Sequence, residues 1–317
     1  MTVVPSTVSS TPPLANYGIL TGQLFLYAGG RAAFESASAS GVGSELPPRK
    51  KCILLGGLSD GLLPVPYTGI LEKACHENDW SLVQPVLSSS YLGFGHGSLD
   101  RDCSEIEELM KYLCEYRNAE EFALVGHSTG CQDAVHFLQH AGPEFRKKTS
   151  LVALQAPVSD REGTELEEGF PEKLQEAQKM VSEGRGDEML PRSFHWAPVT
   201  AQRYVDLHSR GGRDDFFSSD YTDAELEARL SYVGGDPSQH PGLRVLVAFS
   251  GADEYVPEHV DRPKLTERLV VAMNAKSNGR AVAESLYLET GNHNLSEGPV
   301  DAAAFVQRLS ELFRGTE

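Results

Sequence analysis

The sequence predicts an α/β domain built on a mostly parallel, doubly wound sheet. The first observation is that short apolar runs alternate with segments of helical spacing along most of the 317 residues. That alternation implies βαβ units whose helices cover both faces of one sheet. The second is one long interruption, residues 159–236, which holds no strand-like run. A connection of that length is too long for a simple loop, so it reads as an inserted helical lid.

The elements follow in order. Residues 1–16, rich in Ser, Thr and Pro, read as an irregular arm. Gly22 to Ala28 reads as a strand, and Ala32 to Ala37 pairs with it as a hairpin. Ser38 to Arg49 is Gly-, Ser- and Pro-rich and reads as a loop. Strands are expected at 51–55, 80–86, 121–125, 150–155, 243–249 and 281–288, with a break or sheet edge at Pro85. Helices are expected at 67–78, 100–116, 130–140, 263–274 and 300–314. In the second of these, Ile106, Leu109, Met110 and Leu113 recur at helical period. The interruption is expected to hold helices near 172–181 and 222–232. The core is therefore 17–158 with 237–317, and 159–236 is the insertion.

Composition narrows the partners. With 40% hydrophobic and 23% charged residues, the chain has material for a large core. A net charge of -17 repels nucleic acid and anionic lipid, so neither is expected as a partner. Five cysteines without CxxC spacing argue against a disulfide framework and a zinc site. No run approaches a membrane span, and the first residues lack the basic and apolar regions of a secretory leader. The expectation is a cytoplasmic protein without metal or cofactor.

The strongest local signal is Gly126-His127-Ser128-Thr129-Gly130. An apolar strand enters it and a helix leaves it, as the nucleophile elbow of the α/β-hydrolase fold requires. The turn is so tight that the positions two before and two after the serine carry no bulk. An ordinary strand-to-helix turn capped by Ser128 is the alternative.

A hydroxyl attacks at neutral pH only beside an oriented base, and the fold fixes the order serine, acid, histidine. Asp253 follows the 243–249 strand within Asp253-Glu254-Tyr255-Val256-Pro257, with Glu254 as the second choice. His293 follows the last strand. Of the ten histidines, it alone meets the order and the strand-end position together. His127 is expected to pack beside the nucleophile, His96 to line the pocket from its Gly-rich loop, and His136 and His140 to be structural.

Acyl transfer also needs donors for the developing oxyanion. The Thr129 N–H, next after the nucleophile, is one. The Leu58 N–H, in Gly56-Gly57-Leu58-Ser59-Asp60-Gly61 after the 51–55 strand, is the other. Gly57, Ser59, Asp60 and His127 are expected to touch substrate.

Three blocks carry a resemblance. They are Gly56 to Tyr67, Trp80 to Pro85 with Leu87 to Tyr91, and Gly126 to Asp133. Together they resemble a fungal and plant family of α/β-hydrolases formerly of unknown function, whose best-understood members are siderophore esterases of the fusarinine C esterase type. The resemblance implies hydrolysis of the ornithine-ester linkages of a fusarinine C-type siderophore for intracellular iron release. A ferric siderophore is then the substrate, and iron is not a cofactor. The family's serine, acid and histidine fall on Ser128, Asp253 and His293.

The alternatives are a carboxylesterase or thioesterase of other small acyl substrates, an acyltransferase, and a non-catalytic hydrolase-fold binding protein. Residues 159–236 hold 18 acidic against 9 basic side chains. That excess suggests steering of a cationic substrate.

Overall fold

The computed structural model describes residues 17–37 and 47–315. The arm expected over 1–16 and most of the 38–49 loop lie outside them. Eight strands form one sheet: β1 (Gly22–Leu26), β2 (Ala32–Ser36), β3 (Lys50–Leu55), β4 (Trp80–Pro85), β5 (Glu121–His127), β6 (Thr149–Gln155), β7 (Arg244–Ser250) and β8 (Ala283–Leu288). Their order is β1-β2-β4-β3-β5-β6-β7-β8. The first hairpin and its junction with β4 are antiparallel, and every pairing from β4 to β8 is parallel.

The strands are apolar on both faces because both faces are covered. Along β5, Phe122 and Leu124 enter one core and Ala123 and Val125 the other, with the period of two that a pleat imposes. The first core is closed by α2 (Leu99–Tyr116) and α3 (Thr129–His140), through Leu109, Met110, Val135 and Leu138. The second is closed by α1 (Thr68–Glu77) and the C-terminal helix Pro299–Arg314, through Leu71, Phe305 and Leu309.

Most strands and helices fall within a few residues of their expected bounds. Pro85 differs. It ends β4, but β4 is not an edge, since it lies between β3 and β2 with Pro85 opposite Ala33. A proline is accommodated at the last position of the pairing, where little ladder remains to be lost.

Between β6 and β7 the chain leaves the sheet. After the short α4 (Pro143–Lys148), which precedes β6, come α5 (Asp160–Thr164), α6 (Phe170–Ser182), α7 (Ala201–His208) and α8 (Asp223–Leu230). The two expected helices correspond to α6 and α8; α5 and α7 are additions. α6 and α7 share a small core of Ala177, Met180, Phe194 and Tyr204. The last two helices are α9 (Arg262–Asn274) and α10 (Pro299–Arg314). Among the described residues, no helix is long and apolar enough to cross a membrane.

Candidate active site

The elbow between β5 and α3 is held by close packing. A Cβ on Gly126 would fall 2.3 Å from the Gly130 carbonyl oxygen, and one on Gly130 would fall 2.4 Å from that of Leu55. Both glycines are therefore required by contact. Between them Ser128 takes φ 54°, ψ -124°, a backbone state that a non-glycine residue occupies only when its surroundings enforce it. Its side chain makes no capping bond to α3. Ser128 thus does not cap α3 with its side chain, and it lines a cavity of about 1030 Å³.

The loops after β7 and β8 meet beside it. Backbone bonds from Gly251 to Leu288 and from Ala252 to Gly291 fasten them together. Asp253 is 1% exposed, and its Oδ2 lies 2.8 Å from Nδ1 of His293. Its Oδ1 accepts the Tyr255 N–H at 3.0 Å. Glu254, the second choice for the acid, accepts the backbone N–H of His293 at 2.8 Å and leaves the ring to Asp253. Tyr255 packs edge-on against that ring, with centroids 4.6 Å apart. His293 and Ser128 line the same cavity.

The β3–α1 loop closes the other side. A Cβ on Gly57 would fall 2.7 Å from the Ser128 Cβ, so this backbone lies directly against Ser128. The Gly57 N–H is engaged by Asp60 Oδ2 at 2.8 Å, which pins the loop. Gly57, Leu58, Ser59, Asp60 and His127 all line the large cavity. Thr129 instead lines a smaller neighbouring one of about 40 Å³, shared with Leu58, Asp102 and Asp133. As the first residue of α3, Thr129 has an N–H without an intrahelical partner.

His127 packs beside the site, its ring centroid 4.9 Å from that of His293. Burial, helped by the nearby His293, pushes its pKa down to about 3, and its Nδ1 sits 2.7 Å from Gln155 Oε1. This neutral, pinned imidazole forms part of the cavity wall. His96 departs from expectation: it is exposed and absent from the cavity wall, because its Gly-rich segment winds into a 3-10 turn that buries Phe94 instead. His136 and His140 stack at 4.2 Å, and His136 meets Asp100. Among the described residues no group of three His, Cys, Asp or Glu is arranged to hold a metal.

Gln155 was not singled out from sequence. At the end of β6 its amide reaches His127, the Tyr67 hydroxyl, Ser250 and the His293 carbonyl. No motif marks it, since its partners come from four separate segments.

Seven of the 18 carboxylates of residues 159–236 are held in ion pairs with arginines of the same segment, which leaves its net charge unchanged. Arg161 meets Glu165, Asp215 and Asp220; Arg203 meets Asp214; Arg185 meets Glu183 and Glu188; Arg210 meets Asp220 and Glu225. The charged residues this segment gives to the cavity wall are Asp160, Glu167, Lys173 and Arg192. Burial raises Asp160 to about 7. The wall is therefore mixed in sign and not acidic.

A family model described as "Protein of unknown function (DUF1749)" matches residues 8–313. The fusarinine C esterase sidJ of Aspergillus fumigatus is 32% identical over 267 residues, covering 68% of this chain and 74% of the relative. The esterase AN6793 of Emericella nidulans is 30% identical over 351 aligned positions, covering 92% and 90%. Among solved structures, the siderophore hydrolase EstB from Aspergillus fumigatus superposes with a TM-score of 0.78 at 26% identity, over 94% of this chain and 99% of that one. A protein described as an α/β-hydrolase fold protein of unknown function gives 0.63 at 18%, a likeness of fold alone. With the sheet order, these likenesses make the fold that of the α/β-hydrolases.

Proposed function

The chain belongs to the DUF1749 family and is an ester hydrolase of the α/β-hydrolase fold, and from that premise we propose a serine esterase acting through Ser128, His293 and Asp253. In this reading Ser128 Oγ attacks the ester carbonyl while His293 takes its proton at Nε2. Asp253 accepts the Nδ1 hydrogen, fixes the tautomer and stabilises the imidazolium. The Leu58 and Thr129 N–H groups hold the oxyanion. His293 then protonates the departing alcohol. Water, activated by the same ring, releases the acid from the acyl-serine.

One observation carries the reading. A buried Asp253–His293 pair at 2.8 Å stands at the rim of the cavity that Ser128 enters from a left-handed elbow.

The substrate proposed is the ornithine-ester linkage of a fusarinine C-type siderophore, opened in the cytoplasm so that its iron is released. The named esterase and siderophore hydrolase relatives support this class. So does size: about 1030 Å³ lies at the upper end of small-molecule sites and suits a bulky ring. Residues 159–236 act as the lid over it.

Incubating wild type and Ser128→Ala with a siderophore panel, followed by mass spectrometry, tests both levels. Wild type is expected to yield products heavier by water, and the variant none. Turnover of simple esters without siderophore cleavage would refute the substrate and keep the class. Absence of labelling by a fluorophosphonate probe would refute the serine mechanism and favour a binding protein.

A further inference from the structure

The cavity wall formed by the β6–β7 segment holds polar groups that the reaction leaves unused. His208, on α7, lines the cavity and is 4% exposed. Among the described residues neither of its ring nitrogens has a hydrogen-bond partner. The Asp160 carbonyl acts on the ring without meeting hydrogen-bond geometry. Burial, reinforced by His195, pushes its pKa down to about 3. The ring is therefore neutral at physiological pH and offers one donor and one acceptor. A buried polar side chain without partners is unfavourable until something meets it, so its partner is to be sought in the cavity it faces.

A second donor stands beside it. The His195 ring lies 6.1 Å from that of His208. Its Nδ1 accepts the Ala197 N–H at 3.2 Å, which leaves the proton on Nε2. Lys173 and Arg192 line the same cavity, and Lys173 acts electrostatically on His195, as does the one ordinary carboxylate of that wall, Glu167. Donors and positive charge outnumber acceptors here.

We propose that this wall is an acceptor-recognising subsite: His208 and His195, flanked by Lys173 and Arg192, bind a carboxylate or comparable oxygen-rich group of the substrate. The proposal rests on the esterase reading and assigns the polarity of the substrate group that meets this wall. It reverses the preference for a cationic substrate that the acid excess of residues 159–236 suggests.

The test uses p-nitrophenyl esters of three acyl chains, equal in length and ending in a carboxylate, a primary amide or an ammonium. Wild type is expected to favour carboxylate over ammonium by about tenfold in kcat/KM, carried by KM. His208→Phe, sized to keep the ring contacts with Tyr204 and Phe170, should shrink that ratio toward one. His208→Asn, which restores a donor and an acceptor, should recover part of it. Lys173→Met with Arg192→Met should bring the carboxylate ester down to the amide. These two residues are not in a core, so this arm decides even where His208→Phe fails to fold. Equal rates for the three esters, or a preference for ammonium, overturns the subsite. So does an unchanged ratio in the Lys173/Arg192 double variant. Failure of wild type to hydrolyse p-nitrophenyl acetate would instead overturn the esterase reading itself.

Discussion

Glu254 accepts the backbone N–H of His293 at 2.8 Å, leaving the imidazole to the neighbouring Asp253. Two consecutive carboxylates thus grip one histidine at two points. The buried one faces the ring, where a developing positive charge gains most from a partner out of water. The exposed one holds the loop.

These roles predict unequal losses. Asp253→Asn is expected to lower kcat by about 10⁴-fold, because the amide neither fixes the reactive tautomer nor balances the imidazolium. Glu254→Gln removes charge from a backbone contact and should lower kcat by at most about tenfold, the worth of one hydrogen bond. Steady-state kinetics on a simple ester checks both, and the opposite ranking would return the acid role to Glu254.

The β3–α1 loop is constrained by Ser128 itself. In Gly57→Ala the new Cβ would sit 2.7 Å from the Ser128 Cβ, so one backbone must retreat. If the loop supplies an oxyanion donor, kcat should fall by roughly 10²–10³-fold. Leu58→Ala keeps its N–H and should stay close to wild type. Wild-type kcat in Gly57→Ala would remove this loop from the reaction.

What was legible follows from how locally each feature is encoded. Ser128 is readable because the elbow's glycines stand two residues to either side. Asp253 and His293 are readable because each follows an apolar strand directly. Gln155 was not, since its value depends on Tyr67, His127, Ser250 and His293 converging only after the sheet has formed. Helix α7 was missed for a related reason. It buries Arg203 against Asp214, and Asp206 and His208 as well, so burial and apolarity do not coincide along it. The net charge of residues 159–236 was legible, but not which of its charged side chains line the cavity, since the fold alone brings Asp160, Glu167, Lys173 and Arg192 there.

Asp102, which lines the smaller cavity with the β3–α1 loop, gives stability a definite pH dependence. It is 3% exposed, and burial raises its pKa to about 6. Below about pH 4 folded and unfolded chains are both protonated there. Between about 4 and 6 the folded chain retains a proton that the unfolded chain has released, so this group's contribution falls as pH rises. Above about 6 the loss is complete. Asp102→Asn has no proton to lose, so its Tm relative to wild type should be higher at pH 8 than at pH 5. Differential scanning fluorimetry at both pH values decides it; a constant difference would mean that Asp102 titrates normally.

The last expectation concerns Gln155, whose amide joins the end of β5, next to Ser128, to the loop that carries His293. Gln155 Nε2 donates to the His293 carbonyl at 2.9 Å, and Gln155 Oε1 lies 2.7 Å from His127 Nδ1. Gln155→Leu keeps the bulk but strips several buried groups of their partner, each worth about 1–3 kcal/mol when left unsatisfied. Tm should therefore drop. A purely structural role would stop there. A positioning role adds that, in the fraction that remains folded, kcat falls by about 10–100-fold while KM changes little, since the base is displaced and the cavity wall is not. Gln155→Glu offers the acceptor without the donor, so it should retain the bond to His127 yet lose the hold on His293, giving low kcat with Tm closer to wild type. Wild-type kcat in folded Gln155→Leu would mean that the loops after β7 and β8 hold His293 without help from β6.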